Sequence, residues 1–213
     1  MMKIIFDFDG VILDSNNAKK DAFVECYQDL NDNLKEKIAK YHLKNLGVNR
    51  YIKIENIEKN ILKNKNWDKN KEKKINNFSK IVKKKVLNSK FIPGALNTIK
   101  RLSKDHDLYI CSATPEKELV YLCKKKKIYT YFKKIYGSPK SKKKILQILI
   151  KKNNNFNMNF IYIGDAISDY NLAKELKIKF KYINNKIINK KMNILNLKNF
   201  LNSKKINKYI LNQ

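Results

Sequence analysis

Apolar residues along this chain recur in two patterns, and the alternation of the two predicts an α/β fold. Short apolar runs with the length of buried strands open the chain and return at 108–111, 132–137, 160–163 and 178–183. Between these runs, apolar residues repeat every three or four positions, as they do on one face of an amphipathic helix. Strands that alternate with helices in this way predict a doubly wound, parallel sheet.

One long segment, residues 16–90, carries only the helical pattern. Its apolar positions predict four helices. The second of these would end at Gly47, because glycine readily adopts the left-handed conformation that follows many helices. We therefore predict a helical domain at 16–90, inserted into a core that is formed by 1–15 and 91–213. From about residue 189 the chain is predicted to be a helical tail.

The start of the chain holds the first candidate chemistry. Asp7 and Asp9 lie two residues apart where the first strand is predicted to end, so their side chains would point to the same side. Gly10 follows and lets the chain turn sharply. Ligands of open α/β sheets bind at the carboxyl ends of the strands. Paired carboxylates at that position suit a hard cation such as Mg²⁺ together with a phosphate group.

The segment Phe6–Ser15, with the sequence FDFDGVILDS, resembles the first motif of the haloacid dehalogenase superfamily of phosphohydrolases. The resemblance covers nearly the whole chain and is to phosphoglycolate phosphatase-like and β-phosphoglucomutase-like members. It implies a catalytic core and a helical cap at 16–90. It also implies that Asp7 is the nucleophile that forms an aspartyl-phosphate, and that Asp9 is the general acid and then the base. An acid at position 9 favours a phosphatase or a phosphomutase over a dehalogenase.

Two later stretches match the family's groups for phosphate binding. Ser112, which is predicted to end its strand, would hold the phosphoryl oxygens together with the backbone N–H of Ala113. A lysine must offset negative charge between the nucleophile and the phosphoryl group, and the cluster that starts at Lys140 contains it. Lys142 is the better match to the family's motif, and Lys140 is the alternative.

The acidic motif of the family is matched by Gly164–Asp169, with the sequence GDAISD. The resemblance implies that Asp165 binds Mg²⁺ with the carboxylate of Asp7 and the backbone carbonyl of Asp9. Asp169 would be a supporting acid, acting through water or by holding the lysine.

Composition and charge change this interpretation little. The formal net charge of +29 would fit a protein that binds nucleic acid. Lysine is nevertheless spread along the whole chain, and Asn, Ile and Tyr are also abundant. Because all four residue types have A/T-rich codons, we favour a codon bias and consider a nucleic-acid partner unlikely.

Two further features bear on location. No apolar run approaches the roughly 20 residues of a membrane span, and the chain opens directly with a strand, so we expect neither a membrane segment nor a secretory signal. The cysteines Cys26, Cys111 and Cys123 are scattered and odd in number. This spacing predicts free thiols and a cytoplasmic protein.

Arginine is scarce, since only Arg50 and Arg101 occur among 48 basic residues. Lysine cannot copy the planar, two-pronged guanidinium group. We therefore hypothesise that Arg50, together with Lys53, contacts the phosphate or sugar of the substrate from the cap. A surface or interdomain ion pair is the alternative for Arg50.

Taken together, the motifs predict a Mg²⁺-dependent phosphatase that acts on a small phosphorylated metabolite, a phosphosugar or a phospho-acid such as phosphoglycolate, through an aspartyl-phosphate. A β-phosphoglucomutase-like phosphosugar mutase would use the same residues. The basic charge leaves two more functions open: a nucleic-acid-binding protein without enzymatic activity, and a phosphatase of nucleotides or nucleic-acid ends.

Overall fold

The computed structural model of the protein describes residues 1–152 and 159–183, and the backbone of a short strand at 196 and 197. The predicted helical tail from about residue 189 therefore lies outside the described residues, apart from that strand. The polar run at 151–155, which predicts a loop, also falls mostly on residues that are not described.

The chain consists of two compact units. The core unit comprises Met1–Asp14 and Lys90–Gln213, and the helical unit comprises Ser15–Ser89. The interpretation of the helical unit as a cap stays a prediction. Strands occur only in the core unit among the described residues, and helices occur in both units. The strands are β1 (Lys3–Phe6), β2 (Asp107–Pro115), β3 (Lys134–Ser138), β4 (Phe160–Gly164), β5 (Lys179–Ile183) and β6 (Asn196–Leu197). The helices are α1 (Asn16–Cys26), α2 (Asp32–Lys44), α3 (Arg50–Asn56), α4 (Trp67–Asn88), α5 (Ala95–Leu102), α6 (Glu116–Lys125), α7 (Lys142–Lys151) and α8 (Ile167–Glu175).

The six strands form one sheet in the order β3-β2-β1-β4-β5-β6, and every neighbouring pair is parallel. The prediction of a doubly wound, parallel sheet is thereby confirmed. Phe6, the last residue of β1, pairs with Ile110 of β2 on one side and with Ile163 of β4 on the other. The strand order reverses at β1, so its carboxyl end lies at the switch point where ligands bind in folds of this class.

Apolar side chains cover both faces of the sheet. On one face, Tyr162 belongs to a buried cluster that includes Leu146 of α7 and Ala173 of α8. Phe6 points to the opposite face, and its ring meets that of Phe132 edge to face at 6.1 Å. Burial of a large apolar side chain contributes about 1.5–3 kcal/mol, so these two layers fix β1 and β4 in place.

The helical unit is built around a pair of packed aromatic rings that are tilted against each other. The centroids of Phe23 in α1 and Phe78 in α4 lie 4.2 Å apart. A π-helical turn, Ile57–Ile61, continues α3. None of the helices in the described part of the chain is both long and apolar enough to cross a bilayer. The cysteines are buried free thiols, as predicted.

Two predictions for the helical unit are wrong in detail. The sequence pattern predicts that 47–53 links two helices, yet α3 already begins at Arg50. The side chain of Asn49 accepts a hydrogen bond from the backbone N–H of Ile52 at 3.1 Å, and this N-cap starts the helix. Gly47 does not end α2, which ends at Lys44. It lies three residues later, in a turn with a φ of 85°.

The strand that carries Ser112 also differs from prediction. Ser112 does not end β2, which continues to Pro115, and the pairing with β3 shifts its register between Cys111 and Pro115. The hydroxyl therefore lies within an irregular strand end. The preference of proline for the first helical position predicts that Pro115 opens the next helix, but α6 begins one residue later.

Candidate active site

Asp7 directly follows β1 and is held by its neighbours on the sheet. Its backbone N–H donates to the carbonyl oxygen of Ile163 at 2.8 Å, which extends the pairing with β4 by one residue. Its Oδ1 accepts from the backbone N–H of Phe8 at 2.7 Å. The residue is 4 % exposed. One carboxylate oxygen of Asp7 is thus fixed, and the other points toward a partner from α7.

That partner is Lys142, the first residue of α7. Its Nζ donates to Oδ2 of Asp7 at 2.7 Å and to Oδ1 of Asp169 at 2.8 Å. Ser141 caps α7 through its hydroxyl, which accepts from the backbone N–H of Lys144, and this fixes where the helix and the lysine begin. Lys140 is exposed, so the structure brings Lys142, and not the alternative, to Asp7.

The carboxylate of Asp169 is anchored from three sides. Besides Lys142, the hydroxyl of Tyr162 donates to Oδ1 at 2.8 Å, and the backbone N–H of Ala166 lies 3.4 Å from Oδ2. Gly164 leaves room for this arrangement, because a Cβ at that position would lie 2.6 Å from the Cβ of Asp169. Asp169 is 1 % exposed.

The electrostatics of this cluster follow from its burial. Burial raises the pKa of Asp7 from 3.8 to about 6; the Lys142 ammonium opposes this shift, and the carboxylates of Asp169 and Asp9 add to it. For Lys142, burial alone would lower the pKa, but the carboxylates of Asp169 and Asp7 outweigh it, so the net shift is upward. Lys142 is therefore a permanent cation between two acids.

The same cluster has the ligand type and spacing of a cation site. Asp7, Asp165 and Asp169 are buried, and each offers a carboxylate oxygen within 4.8 Å of the others. Carboxylate oxygens are the protein ligands that Mg²⁺ prefers. Asp7 and Asp169 each also accept a hydrogen bond from Lys142, so the cluster combines a fixed cation with a set of oxygen ligands.

The end of β2 carries the remaining polar groups. The backbone N–H of Thr114 donates to Oγ of Ser112 at 3.2 Å, so the serine hydroxyl keeps its own proton for another acceptor. Oγ1 of Thr114 donates to Oδ2 of Asp9 at 3.1 Å. Strand β3 approaches so closely that a Cβ at Gly137 would lie 2.4 Å from the carbonyl oxygen of Thr114. Ala113 lies half-buried between Ser112 and Thr114.

The residues named from the sequence thus fall into three places. Asp7, Lys142, Asp165 and Asp169 come together in one buried cluster. Asp9 lies beside them, half-buried and hydrogen-bonded to the strand that carries Ser112 and Ala113. Arg50 and Lys53 belong to the helical unit.

Sequence reasoning missed two residues that hydrogen-bond to the proposed site residues, namely Thr114 and Tyr162. Thr114 follows Ser112 by two residues, so an extended strand would have placed both hydroxyls on one side. Tyr162 precedes the acidic motif by two residues within an apolar run. A buried tyrosine needs a partner for its hydroxyl, and that need was the signal in the sequence.

Arg50 and Lys53 are both buried in the helical unit, at 6 % and 3 % exposure. Nη1 of Arg50 donates to Oγ of Ser79 at 3.0 Å, and its guanidinium carbon lies 5.2 Å from the ring centroid of Phe78. Nζ of Lys53 lies 3.2 Å from Nδ1 of His42. Nζ of Lys53 also lies 5.8 Å from the ring centroid of Phe23, so each of the two packed rings has a cationic side chain beside it.

Comparison with known proteins identifies the family and the fold of the chain. A sequence model of the haloacid dehalogenase-like hydrolases matches residues 4–183. No curated protein sequence matches the chain significantly. A haloacid dehalogenase-like family hydrolase from Streptococcus pneumoniae has 18% identity over 92% of this chain and 93% of its own, with a TM-score of 0.69.

Two further solved structures cover almost the whole chain. A β-phosphoglucomutase from Clostridium difficile has 18% identity to this chain and a TM-score of 0.73, and the alignment covers 99% of each of the two chains. A magnesium-bound HAD-hydrolase from Bacillus subtilis has 16% identity, covers 99% of this chain and 98% of its own, and gives a TM-score of 0.72. At these identities the likeness establishes the fold.

Proposed function

This chain belongs to the haloacid dehalogenase-like hydrolase family, and we propose that it is a Mg²⁺-dependent phosphatase of a small phosphorylated metabolite. One observation carries the proposal. The ammonium of Lys142 bridges Asp7 and Asp169 at 2.7 and 2.8 Å, beside the proposed general acid and at the switch point of a parallel sheet. A nucleophilic carboxylate that must approach an anionic phosphate needs a fixed cation of this kind.

In the proposed reaction, a carboxylate oxygen of Asp7 attacks phosphorus, and the bond between phosphorus and the ester oxygen breaks. The departing oxygen takes a proton from Asp9. Asp9 then accepts a proton from water, whose oxygen attacks phosphorus and breaks the bond to Asp7. Inorganic phosphate leaves, and both carboxyl groups return to their starting states.

The other polar groups of the site would stabilise negative charge during these steps. Lys142 would offset the negative charge between Asp7 and the phosphoryl oxygens. The Ser112 hydroxyl, whose oxygen already accepts from Thr114, would donate to one phosphoryl oxygen, and the backbone N–H of Ala113 would donate to another.

Mg²⁺ would be held by Asp7, Asp165 and the backbone carbonyl of Asp9. Its chemistry would be to neutralise charge on the phosphoryl oxygens. The fit rests on the three buried carboxylates, whose oxygens lie within 4.8 Å of one another. Asp169 would stay a supporting acid that holds Lys142.

A phosphate-release screen over phosphorylated sugars and phospho-acids, with and without Mg²⁺, tests the proposal. We expect Mg²⁺-dependent release by the wild type and none by Asp7→Asn. Lys142→Met should lower kcat by a factor on the order of 10³, as removal of a charge-stabilising donor does. The exposed neighbour Lys140→Met is the matched control and should keep full activity. Equal activity of the two lysine variants would contradict the assignment.

The helical unit is proposed to be the cap that selects the substrate, with Arg50 and Lys53 as its contacts. Arg50→Lys keeps the charge but loses the planar fork. We expect it to raise KM about tenfold with little change in kcat, while Arg101→Lys, at the only other arginine, leaves both unchanged. If both constants of Arg50→Lys match the wild type, Arg50 has no role in binding.

A phosphosugar mutase remains the second candidate, because the fold is shared with a β-phosphoglucomutase. A mutase would return the phosphoryl group to the sugar, so turnover would need a bisphosphate activator and would release little phosphate. A cytoplasmic location is proposed from the free cysteines. Phosphate release that competes with DNA or RNA in a salt-dependent way would instead support a function on nucleic acid.

A further inference from the structure

Tyr162 is a fully buried residue in the middle of β4 whose hydroxyl reaches the active site. This hydroxyl donates to Oδ1 of Asp169 at 2.8 Å. The same oxygen accepts from Nζ of Lys142, also at 2.8 Å. Lys142 in turn lies 2.7 Å from Oδ2 of Asp7. A chain of three hydrogen bonds therefore joins the centre of the sheet to the proposed nucleophile.

The sheet register explains how a strand residue reaches this position. Tyr162 pairs with Ile5, two residues before Asp7, so its side chain lies on the same face of the sheet as that of Asp7. Its ring packs edge to face on Phe180 of β5, with centroids 6.0 Å apart. The ring is therefore fixed by the core, and the hydroxyl is presented at a fixed point.

The position of the Asp169 carboxylate depends on where the Tyr162 hydroxyl is held. Its second oxygen, Oδ2, has a longer contact of 3.4 Å with the backbone N–H of Ala166. A carboxylate held on Oδ1 by Lys142 alone could rotate about its Cβ–Cγ bond and carry the ammonium with it. With Tyr162 on the same oxygen, rotation would break a buried hydrogen bond to a charged group.

We propose that Tyr162 is a positioning residue, which acts through Asp169 to hold the Lys142 ammonium at the distance where it can stabilise the phosphoryl group on Asp7. The inference rests on the proposed function, because it gives the lysine its task. The ring contributes a second restraint, since Nζ of Lys142 lies 6.0 Å from its centroid.

The competing interpretation is that Asp169 merely satisfies a buried hydroxyl. The two interpretations differ in what Tyr162→Phe would do, because this variant keeps the ring and its packing but removes the donor. A purely structural hydroxyl would change thermal stability alone. A positioning hydroxyl would lower kcat about 10- to 100-fold, as expected for one hydrogen bond to a charged group, and would leave KM within about twofold.

The experiment compares the wild type with Tyr162→Phe and with Tyr109→Phe, a half-buried tyrosine packed against the same apolar cluster. Steady-state kcat and KM are measured on the best substrate of the screen, well below the unfolding temperature. Binding of beryllofluoride with Mg²⁺, followed by ¹⁹F NMR, provides a probe of Asp7 that does not depend on turnover. If the phenylalanine variant does not fold, Tyr162→Met fills the space without a donor.

We expect Tyr162→Phe to lose kcat and to bind beryllofluoride at least tenfold more weakly, while Tyr109→Phe resembles the wild type. Unchanged kcat and unchanged beryllofluoride binding in Tyr162→Phe would overturn the inference and leave the proposed function intact. Equal losses in both variants would assign the effect to packing and would also overturn it. A wild type that neither releases phosphate nor binds beryllofluoride would refute the proposed function itself, and the positioning role with it.

Discussion

Asp7→Asn should abolish turnover and yet stabilise the metal-free protein at neutral pH. Asp7 is 4 % exposed, and burial raises the pKa of its carboxyl group to about 6. The fold therefore disfavours the carboxylate that the proposed reaction needs. Asparagine has nearly the same shape and carries no charge, so the substitution removes this penalty together with the nucleophile.

The magnitude follows from the difference between the folded pKa of about 6 and the ordinary value of 3.8. At about 1.4 kcal/mol per pKa unit, the charged form costs about 3 kcal/mol in the folded state. The folded pKa already includes the attraction of the Lys142 ammonium, which lies 2.7 Å from Oδ2, so the loss of this hydrogen bond is not subtracted again. We therefore expect Asp7→Asn to be more stable than the wild type by about 3 kcal/mol at pH 7.5.

The pH dependence gives the sign of the effect. Below pH 3.8 the carboxyl group is protonated in both the folded and the unfolded state, and its burial costs no charge. The fold is therefore more stable there than at higher pH. This contribution is lost as the pH rises through about 6. The advantage of Asp7→Asn should therefore be full at pH 7.5 and nearly absent at pH 4.

Urea unfolding followed by circular dichroism measures this difference at both pH values, without Mg²⁺ and with it. Mg²⁺ should stabilise the wild type more than the variant, since Asp7 is a proposed ligand. Asp14→Asn, at an exposed acid of the same segment, is the control and should change stability by less than about 0.5 kcal/mol. If Asp7→Asn is less stable than the wild type at pH 7.5, or equally favoured at pH 4, the electrostatic argument is wrong.

Two other substitutions test the surroundings of the site, and a third tests a buried lysine of the sheet. Gly164→Ala would place a Cβ 2.6 Å from that of Asp169, so we expect kcat to fall about 100-fold, measured by phosphate release, with the fold kept by circular dichroism. Thr114→Val removes the donor to Asp9 and should lower kcat about tenfold with KM unchanged; an unaltered kcat would show that Asp9 needs no such support. Lys181 in β5 is 2 % exposed and burial lowers its pKa from 10.5 to about 8. Lys181→Met should therefore be more stable than the wild type by at most about 3 kcal/mol at pH 7. This advantage should shrink in urea unfolding as the pH rises from 8 toward 10.5, where the wild type no longer buries a charge.

The sheet and the buried cluster of charged residues at its edge could be predicted because their sequence signals are local. A strand is a short apolar run, and the groups at its carboxyl end follow it directly in sequence, as Asp7 follows β1 and Asp165 follows β4. Parallel strands bring those ends to one edge of the sheet. Sequence order therefore indicated which acids lie at the strand ends, and the resemblance to the family's motif favoured Lys142 over Lys140.

The partners of these groups could not be predicted in the same way, because they depend on the three-dimensional path of the chain at the strand ends. The hydroxyl of Tyr162 reaches Asp169 across the turn between β4 and α8, and the apolar run of β4 does not show which of its side chains makes this contact. Thr114 reaches Asp9 from an irregular strand end, where the pairing of β2 with β3 shifts. The start of α3 is different, since Asn49 is a recognisable N-cap that the polar surroundings concealed.

The charge of the site is opposite to the charge of the chain, and this contrast explains why a cation belongs in the proposed mechanism. The carboxylates of Asp7 and Asp169 contact the ammonium of Lys142, and those of Asp165 and Asp9 lie near Asp7, whereas the whole chain carries +29. A phosphate dianion is attracted to the protein from a distance but repelled at the strand ends. The raised pKa of Asp7 reflects the same conditions, burial together with neighbouring carboxylates. Mg²⁺ would remove the repulsion at the strand ends, where the proposed reaction takes place. In this proposal the positive charge of the chain would attract the substrate, and no nucleic-acid partner would be needed to account for it.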